Sequence, residues 1–284
     1  MSDTRTVVVG VDASHESQQA LMWARAIAGS DDRIVVVHAW EIPLLTSYDM
    51  VVAVDSVEVE RMAKQGLDEL VAKVDDPRIV PVTHRGHAGR GLVEEGADAD
   101  LIVVGHRGNS RLSLMLGSTA NYVLHHTERP VVVVRGDDPT SPPRRVVVGV
   151  DDFDDPEDSP SVRAVEWAAN LPGVQEVSAV HAWFIPPLAV GMFVPTATDL
   201  SAMDEAAQGV ADRVVAAAGP FPDGVTVTAD VARGTGGFAL IEASRDTDLV
   251  VVGRRGRGGF SGLLLGSTSV ETAAHSHAPV AVIR

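Results

Sequence analysis

The sextet Val7-Val8-Val9-Gly10-Val11-Asp12 returns letter for letter as Val146-Val147-Val148-Gly149-Val150-Asp151. Four more matches follow in the same order. His38-Ala39-Trp40 becomes His181-Ala182-Trp183, and Asp100-Leu101-Ile102-Val103-Val104-Gly105 becomes Asp248-Leu249-Val250-Val251-Val252-Gly253. Gly117-Ser118-Thr119 becomes Gly266-Ser267-Thr268, and the valine run from Pro130 to Arg135 returns from Pro279 to Arg284. The period is about half of the 284 residues, too long for a solenoid repeat and long enough for each copy to bury its own core. The stretch Gly136 to Pro143 is polar and proline-rich, a linker composition. The expected organisation is a domain over 1–137, a linker over 138–143 and a second domain over 144–284.

Within each copy, short valine-rich runs alternate with longer helical stretches. Strands are expected at Val7–Val11, Ile34–His38, Ile79–Thr83, Leu101–Val104 and Val131–Val134. Helices are expected at Ser17–Ala28, Val57–Val74, Gly91–Ala97 and Ser118–His126. The second copy offers strands at Val146–Val150, Val177–His181, Val225–Ala229, Leu249–Val252 and Val280–Ile283. The runs lack polar–apolar alternation, which predicts strands buried on both faces, as in a parallel sheet. The alternation of the two element types predicts an α/β fold of two tandem doubly wound domains, Rossmann-like, each with five parallel strands.

Composition removes several function classes. The net charge of −16 opposes a nucleic-acid partner or an anionic membrane surface. With no cysteine there is no disulfide, thiolate metal site or cysteine nucleophile, which fits a reducing, cytoplasmic setting. No apolar run reaches the ~18 residues of a membrane span, and Met1 to Asp12 does not read as a signal peptide. The two lysines, Lys64 and Lys73, follow no glycine-rich loop, so the Walker A pattern is absent. The ten histidines form no HExxH pair and are read as structural or surface groups. His38 and His181, at matching strand ends, are expected to orient neighbouring backbone.

In a doubly wound sheet, ligands bind beyond the carboxyl ends of the strands, where the strand order reverses. The first strand of each copy ends in Gly-Val-Asp, placing Asp12 and Asp151 at that edge. The fourth strand ends in a glycine-rich loop, Gly105-His106-Arg107-Gly108 or Gly253-Arg254-Arg255-Gly256, which leads to the Gly-Ser-Thr step that opens the last helix. Glycines let backbone N–H groups approach a phosphate, and a helix N-terminus adds unpaired N–H groups and a positive dipole end. Ser118 and Ser267 can cap the helix or bond a phosphate oxygen. Asp12 and Asp151 would then contact ribose or hold a metal such as Mg²⁺.

At these residues the chain resembles the universal stress protein family in its tandem form, over essentially its whole length. The nucleotide-binding version of that family carries Gly, two residues, Gly, nine residues, Gly, then Ser or Thr. Gly253, Gly256, Gly266 and Ser267 match it fully; Gly105, Gly108, Gly117 and Ser118 are one residue short. The resemblance implies ATP, with Mg²⁺ as an optional companion, in each copy. It places Gly10-Val11 and Gly149-Val150 beside adenine, with the backbone of Ala39 and Ala182 hydrogen-bonding the base and Val104 and Val252 lining the pocket. It gives Asp12 and Asp151 the ribose or metal-bound phosphate, and gives the glycine loops with Ser118-Thr119 and Ser267-Thr268 the phosphates. It also implies pairing of the last strands, Val131–Arg135 with Val280–Arg284.

The second copy inserts five residues after Asp151, aligning Ser17 with Ser161, in the acidic run Asp151 to Asp158. That run either faces the phosphates or turns outward to solvent. The apolar segments Ile42 to Val54 and Phe184 to Val194 either offer a contact to a protein partner or a homodimer, or fold back over the helices of their own domain. The expected function is an ATP-binding regulator, non-catalytic, that presents a nucleotide-dependent interaction surface in stress response. The alternatives are a slow ATPase or phosphoryl-transfer enzyme, or a scaffold with vestigial sites.

Overall fold

The structure, a computed structural model, describes residues 4–42, 55–107, 116–136, 140–186, 196–255 and 265–284. The chain separates into two compact units, residues 1–131 and 132–284.

The first unit runs β1 (Thr6–Gly10), α1 (His15–Ile27), β2 (Arg33–Trp40), α2 (Ser56–Val74), β3 (Ile79–Arg85), α3 (Ala88–Glu95), β4 (Leu101–Gly105) and α4 (Ser118–His126). Its strand order is β3-β2-β1-β4. β1 pairs in parallel with β2 on one side, Val8 opposite Val35, and with β4 on the other, Val8 opposite Ile102. Strand order therefore reverses between β1 and β4.

The second unit takes in β5 (Val131–Val134) from its second residue on and continues with β6 (Arg145–Val150), α5 (Pro160–Ala169), β7 (Glu176–Trp183) and α6 (Ala197–Ala218). It ends with β8 (Thr226–Arg233), α7 (Gly236–Ala243), β9 (Leu249–Gly253), α8 (Ser267–His275) and β10 (Val280–Ile283). Its strand order is β8-β7-β6-β9-β10-β5, so the reversal falls between β6 and β9. The sequence suggests five strands to each copy. By contacts, the fifth strand of the first copy groups with the second unit and lies beside β10.

The central strands bury both faces, as their unbroken apolar runs predict: every residue of Leu101–Val104 and of Leu249–Val252 is buried. The outer strands β3 and β8 depart from that expectation. β8 alternates exposed Thr226, Thr228 and Asp230 with half-buried Val227, Ala229 and Val231, because only one face is covered by helices. β3 carries Pro81, which its single sheet neighbour tolerates. β2 and β7 run two residues past the expected ends at His38 and His181, so Trp40 and Trp183 are their last residues, each under an arginine of the outer strand, Arg85 or Arg233.

Two repeated carboxylates seat β1 and its counterpart β6. Asp100 Oδ2 accepts from the Thr6 N–H (2.7 Å), and Asp248 Oδ2 accepts from the N–H groups of Arg144 (2.9 Å) and Arg145 (2.8 Å). Six of the described helices have a side chain on an early N–H. Ser14, Asp55, His87, Ser159, Thr196 and Thr235 cap α1, α2, α3, α5, α6 and α7. The His87 cap explains why α3 starts at Ala88, ahead of the Gly91 suggested by its apolar spacing.

One core position distinguishes the two copies. Thr272 on α8 is fully buried and its hydroxyl has no hydrogen-bond partner, whereas the matching residue of α4 is Val123. An unsatisfied buried hydroxyl costs about 1 kcal/mol or more. Thr272→Val keeps the shape and is expected to raise the melting temperature by about 2 °C, read by calorimetry.

Candidate functional site

Each strand-order reversal opens a cleft at the carboxyl edge of the sheet, of about 180 Å³ in the first unit and 240 Å³ in the second. The first cleft is floored by Gly10, Val11 and Asp12 past β1 and walled by Ala39 of β2 and Val104 and Gly105 of β4. Gly117, Ser118 and Thr119 close it at the start of α4. The second repeats this with Gly149, Val150, Asp151, Ala182, Val252, Gly253, Gly266, Ser267 and Thr268. The remaining motif glycines, Gly108 and Gly256, lie outside the described residues, as does most of each apolar segment after the second strand.

The end of β1 is held from two sides. His38 Nδ1 donates to the Val11 carbonyl (2.9 Å), and His181 Nδ1 does the same to Val150 (2.9 Å). That bond requires a proton on Nδ1 of each ring and aims the following aspartate at the cleft. From the other side, Ser17 Oγ accepts from the Asp12 N–H (3.3 Å) and Ser161 Oγ from the Asp151 N–H (2.8 Å). The five inserted residues therefore leave the Ser17–Ser161 equivalence intact. Asp12 Oδ1 accepts from the Ser14 hydroxyl (2.5 Å) and N–H (3.1 Å), across a turn in which Ala13 takes φ +63°. Asp151 Oδ1 accepts instead from the Asp152 N–H (2.9 Å).

Of the acidic run, only Asp151 lines the cleft. Asp154, Asp155, Glu157 and Asp158 are exposed, and Asp152 pairs with Arg213 on α6 at 2.6 Å. The run turns outward, which removes the phosphate repulsion an inward path would bring. Arg107 and Arg255 contribute positive charge to the cleft walls.

The glycines divide by what they make room for. A Cβ on Gly10 would lie 2.7 Å from Leu92 Cδ1, and one on Gly149 would lie 2.6 Å from Leu240 Cδ1. A Cβ on Gly105 would meet the Glu16 carbonyl oxygen at 2.8 Å, and one on Gly253 the Pro160 Cβ at 2.8 Å. These four let helices pack against the strand ends. Gly117 and Gly266 differ: they sit at the N-cap of α4 and α8, and each N–H donates to the carbonyl of His106 or Arg254 (2.9 Å).

Those two helices lack a side-chain cap, unlike the other six described. Their first turns carry the N–H groups of Ser118 to Ala120 and Ser267 to Ser269, at the wall of each cleft. Such an end is fitted to an anion by both its N–H groups and its dipole. The opposite wall is apolar, with Val37, Ala39 and Leu92 in the first unit, and suits a flat base. The residues present therefore fit a nucleoside phosphate. Besides the expected residues, each cleft gains the leucine that fills the strand glycine, Leu92 or Leu240, and the serine under the aspartate. Alignment of the two copies pairs the serines, but nothing local to either marks the leucine. Among the described residues, no group of three histidine or acidic side chains gathers as a metal site, and no helix is long and apolar enough to cross a membrane.

Comparison with known proteins agrees with this architecture. The sequence model of the universal stress protein family matches twice, over residues 3–135 and 143–284. A universal stress protein of Mycolicibacterium smegmatis is 32% identical over 98% of this chain and 96% of its own length. One of Mycobacterium tuberculosis strain H37Rv is 29% identical over the same shares. The crystal structure of a universal stress protein from Archaeoglobus fulgidus superposes with a TM-score of 0.65 at 22% identity, covering 98% of this chain and 96% of that one, a likeness of fold. With both halves matched by the family model and the repeat preserved in the fold, the chain belongs to the universal stress protein family.

Proposed function

We propose that this protein binds ATP in each unit and acts as a regulator whose interaction surface depends on nucleotide occupancy. One observation carries the reading: of the helix starts that line each cleft, one in each unit, that of α4 or α8, has no side-chain cap on its first-turn N–H groups. Phosphates would lie on the first-turn N–H groups of α4 and α8 near Arg107 and Arg255, and the base against the apolar wall. Asp12 and Asp151 would face ribose or a Mg²⁺ ion, which when bound neutralises phosphate charge. Occupancy would order the surroundings of the uncapped helix ends and so bias the surface offered to a partner. The absence of cysteine supports a reducing, cytoplasmic setting. The apolar stretches 42–54 and 184–194 make a homodimer the first assembly to look for.

The test is to denature the purified protein and measure released nucleotide per chain by chromatography and mass spectrometry. Two ATP per chain is the expected result. ADP in place of ATP favours the slow-hydrolysis reading. No nucleotide, together with a failed titration with Mg-ATP, overturns the ATP assignment.

A further inference from the structure

The two clefts differ at one buried position that touches the phosphate-binding turn. After Gly117-Ser118-Thr119 the first unit has Ala120; after Gly266-Ser267-Thr268 the second has Ser269. Both residues are buried, at 1% and 3% exposure, and both line their cleft. The Ser269 hydroxyl donates to the Gly253 carbonyl (2.8 Å) and reaches the Arg254 carbonyl (3.3 Å). It thus ties the first turn of α8 to the backbone that leaves β9. The same backbone is held from outside, where the Arg254 N–H donates to the Ile283 carbonyl (2.7 Å). Ala120 has no donor, so the first unit lacks the side-chain tie between α4 and the carbonyls of Gly105 and His106.

A phosphate bound at the helix N-terminus needs the loop and the first turn in fixed register. Where that register is set before binding, less freedom is lost on binding and affinity rises. Resting on the ATP reading above, we propose that Ser269 is a positioning residue that preorganises the second site, and that the clefts are unequal, the second holding ATP more tightly. One buried hydrogen bond corresponds to about a fivefold difference in Kd.

The experiment uses the full chain. Gly117→Val isolates the second site and Gly266→Val the first, and each is titrated with Mg-ATP by calorimetry. The expected result is a Kd about fivefold lower for the second site. Ser269→Ala should remove that advantage, and Ala120→Ser should tighten the first site by a similar factor, a gain that mere loss of fold cannot produce. Without ligand, the amides of Arg254 and Arg255 should exchange hydrogen more slowly than those of His106 and Arg107, and Ser269→Ala should narrow the gap. Equal affinities, or a Ser269→Ala change silent in both affinity and exchange, overturn the proposal while leaving ATP binding intact. A folded protein that takes up no ATP at either site overturns the ATP reading and this inference with it.

Discussion

Replacing both Gly117 and Gly266 with valine should abolish nucleotide binding, and replacing either alone should halve the nucleotide recovered per chain. At Gly117 a Cβ would lie 3.2 Å from the His106 carbonyl oxygen and 3.3 Å from the Arg107 Cα; at Gly266 one would lie 3.4 Å from the Arg254 carbonyl oxygen. The branched valine side chain extends further and would push the loop off the helix end, carrying phosphate contacts with it. The expected loss at each altered site is at least about 100-fold in Kd, near 3 kcal/mol. The cost in stability should be near 1 kcal/mol, since each position is an N-cap and not a core site. Unchanged nucleotide content in the folded double variant would remove the clefts as the binding site.

The largest effect on stability is expected far from the clefts. Asp76 lies in the turn between α2 and β3, with its side chain 4% exposed. It accepts from Arg78 (2.7 Å) and from Arg25 at the end of α1 (2.8 Å), and Arg78 also donates to the Ala28 carbonyl (2.7 Å). The Arg78 hydrogen bonds hold the Asp76 carboxyl far below the ordinary carboxylate range, outweighing the upward push of burial, and Arg25 adds to them. Asp76→Asn strands two guanidinium groups and should cost about 2–3 kcal/mol at neutral pH, read from denaturant unfolding. A carboxyl depressed in the folded state stabilises above its unfolded value, and that contribution fades as pH falls toward the folded value. The gap between wild type and variant should therefore be constant above about pH 5 and shrink below about pH 4. A gap that persists undiminished in acid would mean that Asp76 acts through shape and not charge.

What the sequence discloses about this protein follows from where its information is local. The buried central strands are readable because four consecutive apolar residues such as Leu101–Val104 leave few alternatives. The outer strands are not, because β3 and β8 contain valines too and only sheet order decides which faces are covered. The cleft is legible because its parts sit at strand ends and recur: Asp12 with Asp151, His38 with His181. The reason for Gly10 is hidden, since it depends on Leu92, far along the chain, seeking the space its missing Cβ leaves. Ser269 is hidden differently. As one letter it is an ordinary early-helix residue, and its meaning lies in the carbonyls of Gly253 and Arg254 that folding brings beneath it. The alanine at position 13, with φ +63°, likewise has no signature, because glycine or asparagine would be the usual choice there.

Arg135 bears on how the protein can be cut apart. It stands at the end of β5, in the half of the sequence that precedes the linker, yet its guanidinium is buried and donates to the Ser276 carbonyl (2.7 Å) at the C-terminal end of α8. There its charge complements the negative end of the same helix whose opposite end walls the second cleft. A fragment begun at the linker would carry every motif of the second copy and still lack this cation and the strand beside β10. Dissection by sequence repeat and dissection by packing thus give different pieces, and only a fragment that starts before Val132 retains all the partners of the second unit.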